Sequence, residues 1–221
     1  MHVLVTGGSG VLGRASIPLL RDAGHDVDAP SRTELDLFDP QAVAAAVADA
    51  DAIVHLATRI PPPERLGDRD AWGETDRLRA EATPILVDAA LAASVEWFLF
   101  PSIAFVYPES GPVDESTPVG KTVPEILLSA LEAERHVARF DGDGRRGVVL
   151  RLGVLYGPTI GKPKPNEHWA AYGATLRIED AGRAIATAAE IPGGIYNVVG
   201  DGERISNARF KQIAGWRPEF G

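Results

Sequence analysis

The chain contains no cysteine and one methionine in 221 residues. Without thiols it can have neither disulfides, nor a cysteine nucleophile, nor cysteine-ligated metal. Positive charge is also scarce: 22 Lys and Arg stand against 31 Asp and Glu, a formal net charge of -9. That balance argues against nucleic acid or an anionic membrane as the main partner, since both require a basic face. It leaves room for a local basic pocket. No apolar run approaches the ~20 residues of a membrane span. The opening "HVLV" is too short for the h-region of a secretory signal and runs straight into a glycine turn, so the expectation is a soluble cytoplasmic protein. The five histidines are scattered, with no pair at ligand spacing, and no metal site is expected.

What is present is an alternation. Runs rich in β-branched residues, such as "HVLVT" (2–6), "HDVDAP" (25–30), "DAIVHLAT" (51–58), "VEWFLFPS" (95–102), "VVLRLGVLYG" (148–157) and "GIYNVVG" (194–200), read as strands. Between them lie helical patterns at 11–24, after Pro40, at 71–94 with a kink or break at Pro84, at 122–140, in "EDAGRAIATAAE" and in "SNARFKQIAG". Asp39 and Pro40 make a good helix start, as cap and first residue. Such βαβ alternation predicts an α/β fold, a Rossmann-type doubly wound parallel sheet with helices on both faces. Ligands in that architecture bind at the carboxyl ends of the strands. No domain boundary is visible in 1–221; a reduced C-terminal lobe on the substrate side would be drawn from about 156–179 and 200–221.

"VTGGSGVLG" places glycines at 7, 10 and 13, directly after a strand and opening a helix. Gly7 suits the tight turn, Gly10 lets a diphosphate approach the backbone, and Gly13 lets helix and strand pack closely. Ser9 and the first-turn amides of Val11, Leu12 and Gly13 complete the cradle, and the helix dipole favours the anion. At the exit of the second strand stand Ser31 and Arg32. A hydroxyl followed by a guanidinium suits the 2′-phosphate of NADP(H) better than the free ribose of NAD(H), although Arg32 could equally be a solvated loop residue. His55 falls within a strand and reads as a core residue.

Taken in order, these stretches resemble the extended short-chain dehydrogenase/reductase family, the NAD-dependent epimerases and dehydratases. "TGGSGVLG" looks like the family's glycine loop, and "LDLFD" is similar to its adenine contact, which would place Asp36 and Leu37 beside the base. "IVHLAT" resembles the strand whose end, Leu56-Ala57-Thr58, lines the cofactor. "FPSIAFVYP", "RLGVLYGP", "IEDAGRAI", "GGIYNVVGD" and "GWRPEFG" follow the family's order to the C-terminus. The resemblance implies NAD(P)(H) as cofactor, a small-molecule substrate and a homodimer built on the helices around 71–94 and 122–140.

It also implies a tyrosine as acid or base, a lysine four residues on and a serine on the fourth strand. Aligned from Glu134, which usually follows that lysine, the two helical positions hold Ile126 and Ala130. The serine position falls on Ile103, with Ser102 one residue early, and the family's asparagine maps near Arg79. Ile and Ala cannot move a proton. Between "YGP" and "LRIEDAG", where the family places a long insertion, only "TIGKPKPNEHWAAYGAT" remains, which disfavours a nucleotide-sugar. Candidates for a relocated acid–base group are Ser102, Tyr107, His168 and Tyr172. Two functions follow. One is an epimerase/dehydratase-like enzyme of small metabolites, either an oxidoreductase with a moved proton carrier or a non-redox cyclase or lyase. The other is a catalytically inactive dinucleotide-binding sensor or scaffold.

Overall fold

The computed structural model describes the chain except for Glu109, Lys121, Thr122, Asn166, His168, Trp169, Ala171, Tyr172, Glu203, Gly221 and the side chain of Pro63. Six parallel strands form the main sheet: β1 (His2–Thr6), β2 (Asp26–Asp28), β3 (Ala52–His55), β4 (Trp97–Ile103), β5 (Arg146–Leu152) and, last in sequence, β8 (Gly194–Val198). Their spatial order is β2-β1-β3-β4-β5-β8. The chain leaves β1 for β2 on one side and returns to β3 on the other, so the topological switch point lies between β1 and β3. The doubly wound parallel sheet expected from the sequence is the architecture found.

Alternation along the strands sorts the core into two layers. Val3 and Val5 of β1, Val54 of β3, Trp97 and Leu99 of β4 and Leu150 of β5 pack with α1 (Val11–Asp22), α6 (Ile178–Thr187) and α7 (Ala208–Ala214). Leu4, Ile53, Phe98, Phe100 and Val149 face the opposite way, onto α2 (Pro40–Val47), α4 (Thr83–Ala92) and α5 (Glu125–Ala138). These strand residues are essentially without solvent exposure on either side, the signature of a sheet covered on both faces. Asp39 caps α2 as expected, its Oδ1 accepting from the Gln41 amide at 2.9 Å and the Ala42 amide at 3.4 Å.

Two local expectations need correction. The run 148–157 is not one strand. It breaks at Gly153, after which β6 (Val154–Tyr156) leaves the main sheet and pairs with β7 (Thr175–Arg177), a strand absent from the sequence reading. A Cβ at Gly153 would lie 2.8 Å from the Thr175 carbonyl carbon, so the break depends on a residue without a side chain. The irregularity in the stretch 71–94 precedes Pro84 rather than falling on it. Helix α3 (Gly73–Arg77) widens into a π-helical segment, Leu78–Ala82, before α4 resumes. Pro84 lacks an N–H and its ring crowds the carbonyl four residues back, which falls inside the widened segment. Glu115, in the loop after β4, is half-buried and accepts from the Asn197 amide of β8 at 2.7 Å. Among the described residues no helix is long and apolar enough to cross a membrane.

Candidate functional site

The turn that joins β1 to α1 is shaped by close backbone contacts. Gly7 has φ 75°, and a Cβ there would lie 2.6 Å from the Ala57 amide nitrogen beyond β3. A Cβ at Gly13 would overlap the Gly8 carbonyl. Gly10 differs. It caps α1 with φ -73°, and a Cβ on it would meet one atom, the Gly7 carbonyl oxygen at 3.0 Å. That carbonyl accepts from the Gly10 amide at 2.9 Å. No side chain caps α1 and no acidic residue occupies its first turn. The amides of the first turn therefore face a space that suits an anion. Ser9 is exposed, and its carbonyl accepts from Arg14.

Around this turn the remaining sequence candidates gather at the carboxyl edge of the sheet. Leu56 is buried, Ala57 half-buried and Thr58 exposed as the chain leaves β3. Ser31, Arg32 and Asp36 are exposed beyond β2, with Leu37 half-buried against the α2–α4 layer. Arg32 makes no hydrogen bond or ion pair among the described residues. Glu34, in the same turn, accepts from the Ser31 amide at 2.8 Å, which holds its carboxyl below the usual range.

Beneath the cradle lies a buried histidine. His55 ends β3 with 1% exposure, and its Nδ1 meets the Thr6 hydroxyl at 2.6 Å. Among the described residues Nε2 makes no hydrogen bond of good geometry; the Leu78 carbonyl, at the start of the π-helical segment, favours the protonated ring but is outweighed by burial. Burial pushes the imidazole down to about 4, so it is neutral in the folded protein at pH 7.

Ser102 and Tyr107 are brought together, but around an ion pair. Arg151 of β5 and Glu134 of α5 are each 5% exposed at the side chain and form two contacts, Nη2 to Oε2 at 2.6 Å and Nε to Oε1 at 3.0 Å. The Ser102 hydroxyl donates to Glu134 Oε1 at 2.5 Å. Arg151 Nη1 donates to the Tyr107 hydroxyl at 2.9 Å, which in turn donates to Asn197 Oδ1 at 2.8 Å. Burial raises the Tyr107 phenol further above its ordinary value, against the pull of the Arg151 charge, which takes it away from proton transfer near neutral pH. Burial works against the charge of Arg151 too, but the Glu134 carboxylate outweighs it and keeps the guanidinium protonated.

Ile126 is half-buried and Ala130 fully buried on α5. His168 and Tyr172 lie outside the described residues, in the segment between β6 and β7. Lys162 and Lys164, from the same short loop, are exposed. Sequence reasoning took Glu134 only as a register mark and did not find its pairing with Arg151. It also left Arg79 as a mapped position. In the structure Arg79 is 5% exposed inside the π-helical segment. A signal was available: Thr75, Arg79, Ala82 and Leu86 fall on one helical stripe that is otherwise uncharged.

Comparison with known proteins bears on the family and the fold. A model of the NAD dependent epimerase/dehydratase family matches residues 3–198. A "3-diazoavenalumate denitrifying reductase" from Streptomyces is 37% identical over 186 residues, covering 73% of this chain and 58% of that protein. The human "Epimerase family protein SDR39U1" is 31% identical over 168 residues, covering 71% of this chain and 55% of that protein. The matched stretch thus spans little more than half the length of these relatives. Among solved structures, a short-chain dehydrogenase/reductase superfamily protein from Agrobacterium tumefaciens with bound NAD superposes with a TM-score of 0.75 at 22% identity, covering 100% of this chain and 93% of that one.

Two expectations follow from the buried groups. Replacing Glu134 by Gln should leave Arg151 charged and poorly paired, at a cost of roughly 3–5 kcal/mol in urea denaturation; a loss below about 1 kcal/mol would show that the network does not rest on the pair. His55 binds a proton less readily folded than unfolded. Its contribution is therefore intact above pH 6.5 and lost as pH falls from 6.5 towards about 4, a span worth roughly 3 kcal/mol. His55→Gln should flatten the stability–pH slope in that window, and an unchanged slope would assign the acid sensitivity to other groups.

Proposed function

The chain belongs to the NAD-dependent epimerase/dehydratase family, and from that premise we propose that it binds NAD(P)(H) and acts on a small metabolite as an epimerase/dehydratase-like enzyme. The observation that carries the reading is the turn Gly7–Gly13, with amides presented at the head of α1 and only the Gly7 carbonyl oxygen, at 3.0 Å, beside the place a Cβ on Gly10 would take. In this proposal Gly7, Ser9, Gly10, Val11, Leu12 and Gly13 hold the diphosphate. Ser31 and Arg32 take the adenosine ribose, Asp36 and Leu37 flank the adenine, and Leu56, Ala57 and Thr58 line the middle of the cofactor. Arg32, without an ion-pair partner among the described residues, supports NADP(H) over NAD(H). Glu34 opposes that choice less than its position suggests, because its carboxylate is already engaged by Ser31.

The bound cofactor would supply hydride chemistry. The chain's own contribution is binding, orientation and proton handling. Ile126 and Ala130 hold no proton to give. Ser102 and Tyr107 are hydrogen-bonded to Glu134, Arg151 and Asn197. Of the four acid–base candidates the proposal therefore rests on His168 and Tyr172, in the short segment between β6 and β7. The unfilled α5 positions favour a second reading, a dinucleotide-binding sensor or scaffold without turnover. A homodimer through the outward faces of α4 and α5, where Leu128 is 49% exposed, belongs to the same proposal.

Gly10→Val tests the cradle, since the backbone at φ -73° is one a side chain can adopt and the added Cβ would press on a single atom, the Gly7 carbonyl oxygen at 3.0 Å. At 100 times its Kd, NADPH should stabilise the parent protein by roughly 2.7 kcal/mol and the variant not at all, each measured against its own ligand-free urea midpoint. NADH should bind more weakly than NADPH. Equal stabilisation of both proteins, or of neither, would remove the cofactor from this turn. Light scattering on the same samples should give twice 23.5 kDa; a mass of 23.5 kDa would exclude the dimer.

A further inference from the structure

Two arginines are buried among the described residues, and their surroundings differ sharply. Arg151 has both oxygens of Glu134 and the Tyr107 hydroxyl around its guanidinium. Arg79, buried to the same degree, has one contact from Nη1 to Ser129 Oγ, at 3.5 Å. No carboxylate among the described residues lies within 4.0 Å of it. Asp76, three residues earlier, helps to keep it charged, but Asp76 Oδ2 is taken by Arg69 at 2.5 Å and Oδ1 has no hydrogen-bond partner. Burial lowers Arg79 to about 10, which still leaves it cationic at neutral pH. A guanidinium carries five N–H donors, and taking it out of water without partners is unfavourable. Nε and Nη2 of Arg79 make no hydrogen bond among the described residues and are not sealed from solvent, so a largely buried guanidinium, beside a second arginine held by a carboxylate, keeps a face on which a ligand can be its partner.

The placement of Arg79 says which ligand. Its segment lies at the carboxyl edge of the sheet, next to the cradle: the Leu78 carbonyl acts on His55, His55 bonds Thr6, and Thr6 precedes Gly7. Thr75 ties α3 to the backbone just past Thr58, donating to the Arg59 carbonyl at 2.5 Å and accepting from its amide at 3.2 Å. On the other side the guanidinium reaches Ser129, the neighbour of Ala130 on α5. The cation thus stands between the cofactor edge and the helix that offers no charged group of its own there.

We propose that Arg79 recognises the substrate, and that the substrate is a small carboxylate whose planar oxygens pair with the guanidinium fork. This rests on the reading above only in sharing its site. A planar fork matches a carboxylate with two parallel hydrogen bonds, and the neighbouring Ser129 hydroxyl can supply one more. A phosphate would need donors around three oxygens, and the described surroundings of Arg79 offer one hydroxyl.

The test uses the full chain with malonate as probe, inorganic phosphate and chloride as comparisons at matched ionic strength, and NADPH titrated separately. Malonate should raise the melting temperature of the parent protein beyond the effect of chloride, and Arg79→Met should weaken that apparent binding about tenfold or more. Arg79→Lys should fall between. The urea midpoint of ligand-free Arg79→Met should equal or exceed that of the parent, because an unpaired buried charge has been removed. A lowered midpoint with an unchanged malonate response would make Arg79 a structural residue and overturn the proposal. An Arg79-dependent shift with phosphate but not malonate would overturn the carboxylate assignment. Failure of NADPH and NADH to bind the parent protein would remove the cofactor reading, while the malonate comparison would still decide Arg79 independently.

Discussion

The arrangement of this molecule at its carboxyl edge depends on one buried ion pair. Glu134 on α5 and Arg151 on β5 meet away from solvent, where charges are tolerated only if nearly every donor and acceptor is used. The requirement recruits neighbours. Ser102 brings in β4, Tyr107 the segment beyond β4, and Asn197 the strand β8. Asn197 in turn receives Glu115 through its backbone amide. The loop after β4 is thereby pulled onto the sheet and builds a third apolar cluster, with Ala104, Val106, Val113, Val199 and Ile205. Side chains that looked available for chemistry in isolation are consumed in satisfying the pair.

The opposite is true a few residues away. Between β1 and α1 the polypeptide is stripped of side chains at Gly7 and Gly13 so that backbone can touch backbone, and the amides are left uncommitted. One part of the edge thus pairs its charges internally, with Asn197 Nδ2 the group there left without a partner among the described residues, and the other leaves donors open. The proposed ligand chemistry would use the second part, where first-turn backbone donors, the neutral His55 and the thinly partnered Arg79 are found together. Family membership and this division of labour point the same way without relying on each other.

The parts legible in the sequence were those governed by local rules. The glycine turn, the Asp39 cap and the covered parallel strands each follow from a few consecutive residues. The parts that were not legible depend on contacts distant in the chain. Nothing within "VVLRLGVLYG" announces that Gly153 will press against Thr175 and divert the strand. Ser102 and Tyr107 looked like proton carriers because the partners that engage them come from positions 134, 151 and 197. The π-helical widening was displaced from the proline that the sequence flags, since the crowding acts on the preceding turn. His168 and Tyr172, two of the four acid–base candidates, lie outside the described residues.

The departure of the chain from the main sheet at Gly153 bears on how this scaffold can diversify. The strands β6 and β7 form a ladder with each other and not with the six-stranded sheet, to which β7 is joined by the Gly200 amide donating to the Thr175 carbonyl at 2.7 Å, so the stretch they bracket begins and ends on a separate ribbon. Lengthening that stretch carries a small entropic cost, about 0.6 kcal/mol for each doubling, and leaves the hydrogen bonds of the large sheet undisturbed. The length of this stretch and the pairing of the large sheet are consequently separable here. A protein engineer could graft longer segments between Tyr156 and Thr175 as exchangeable modules on a constant chassis.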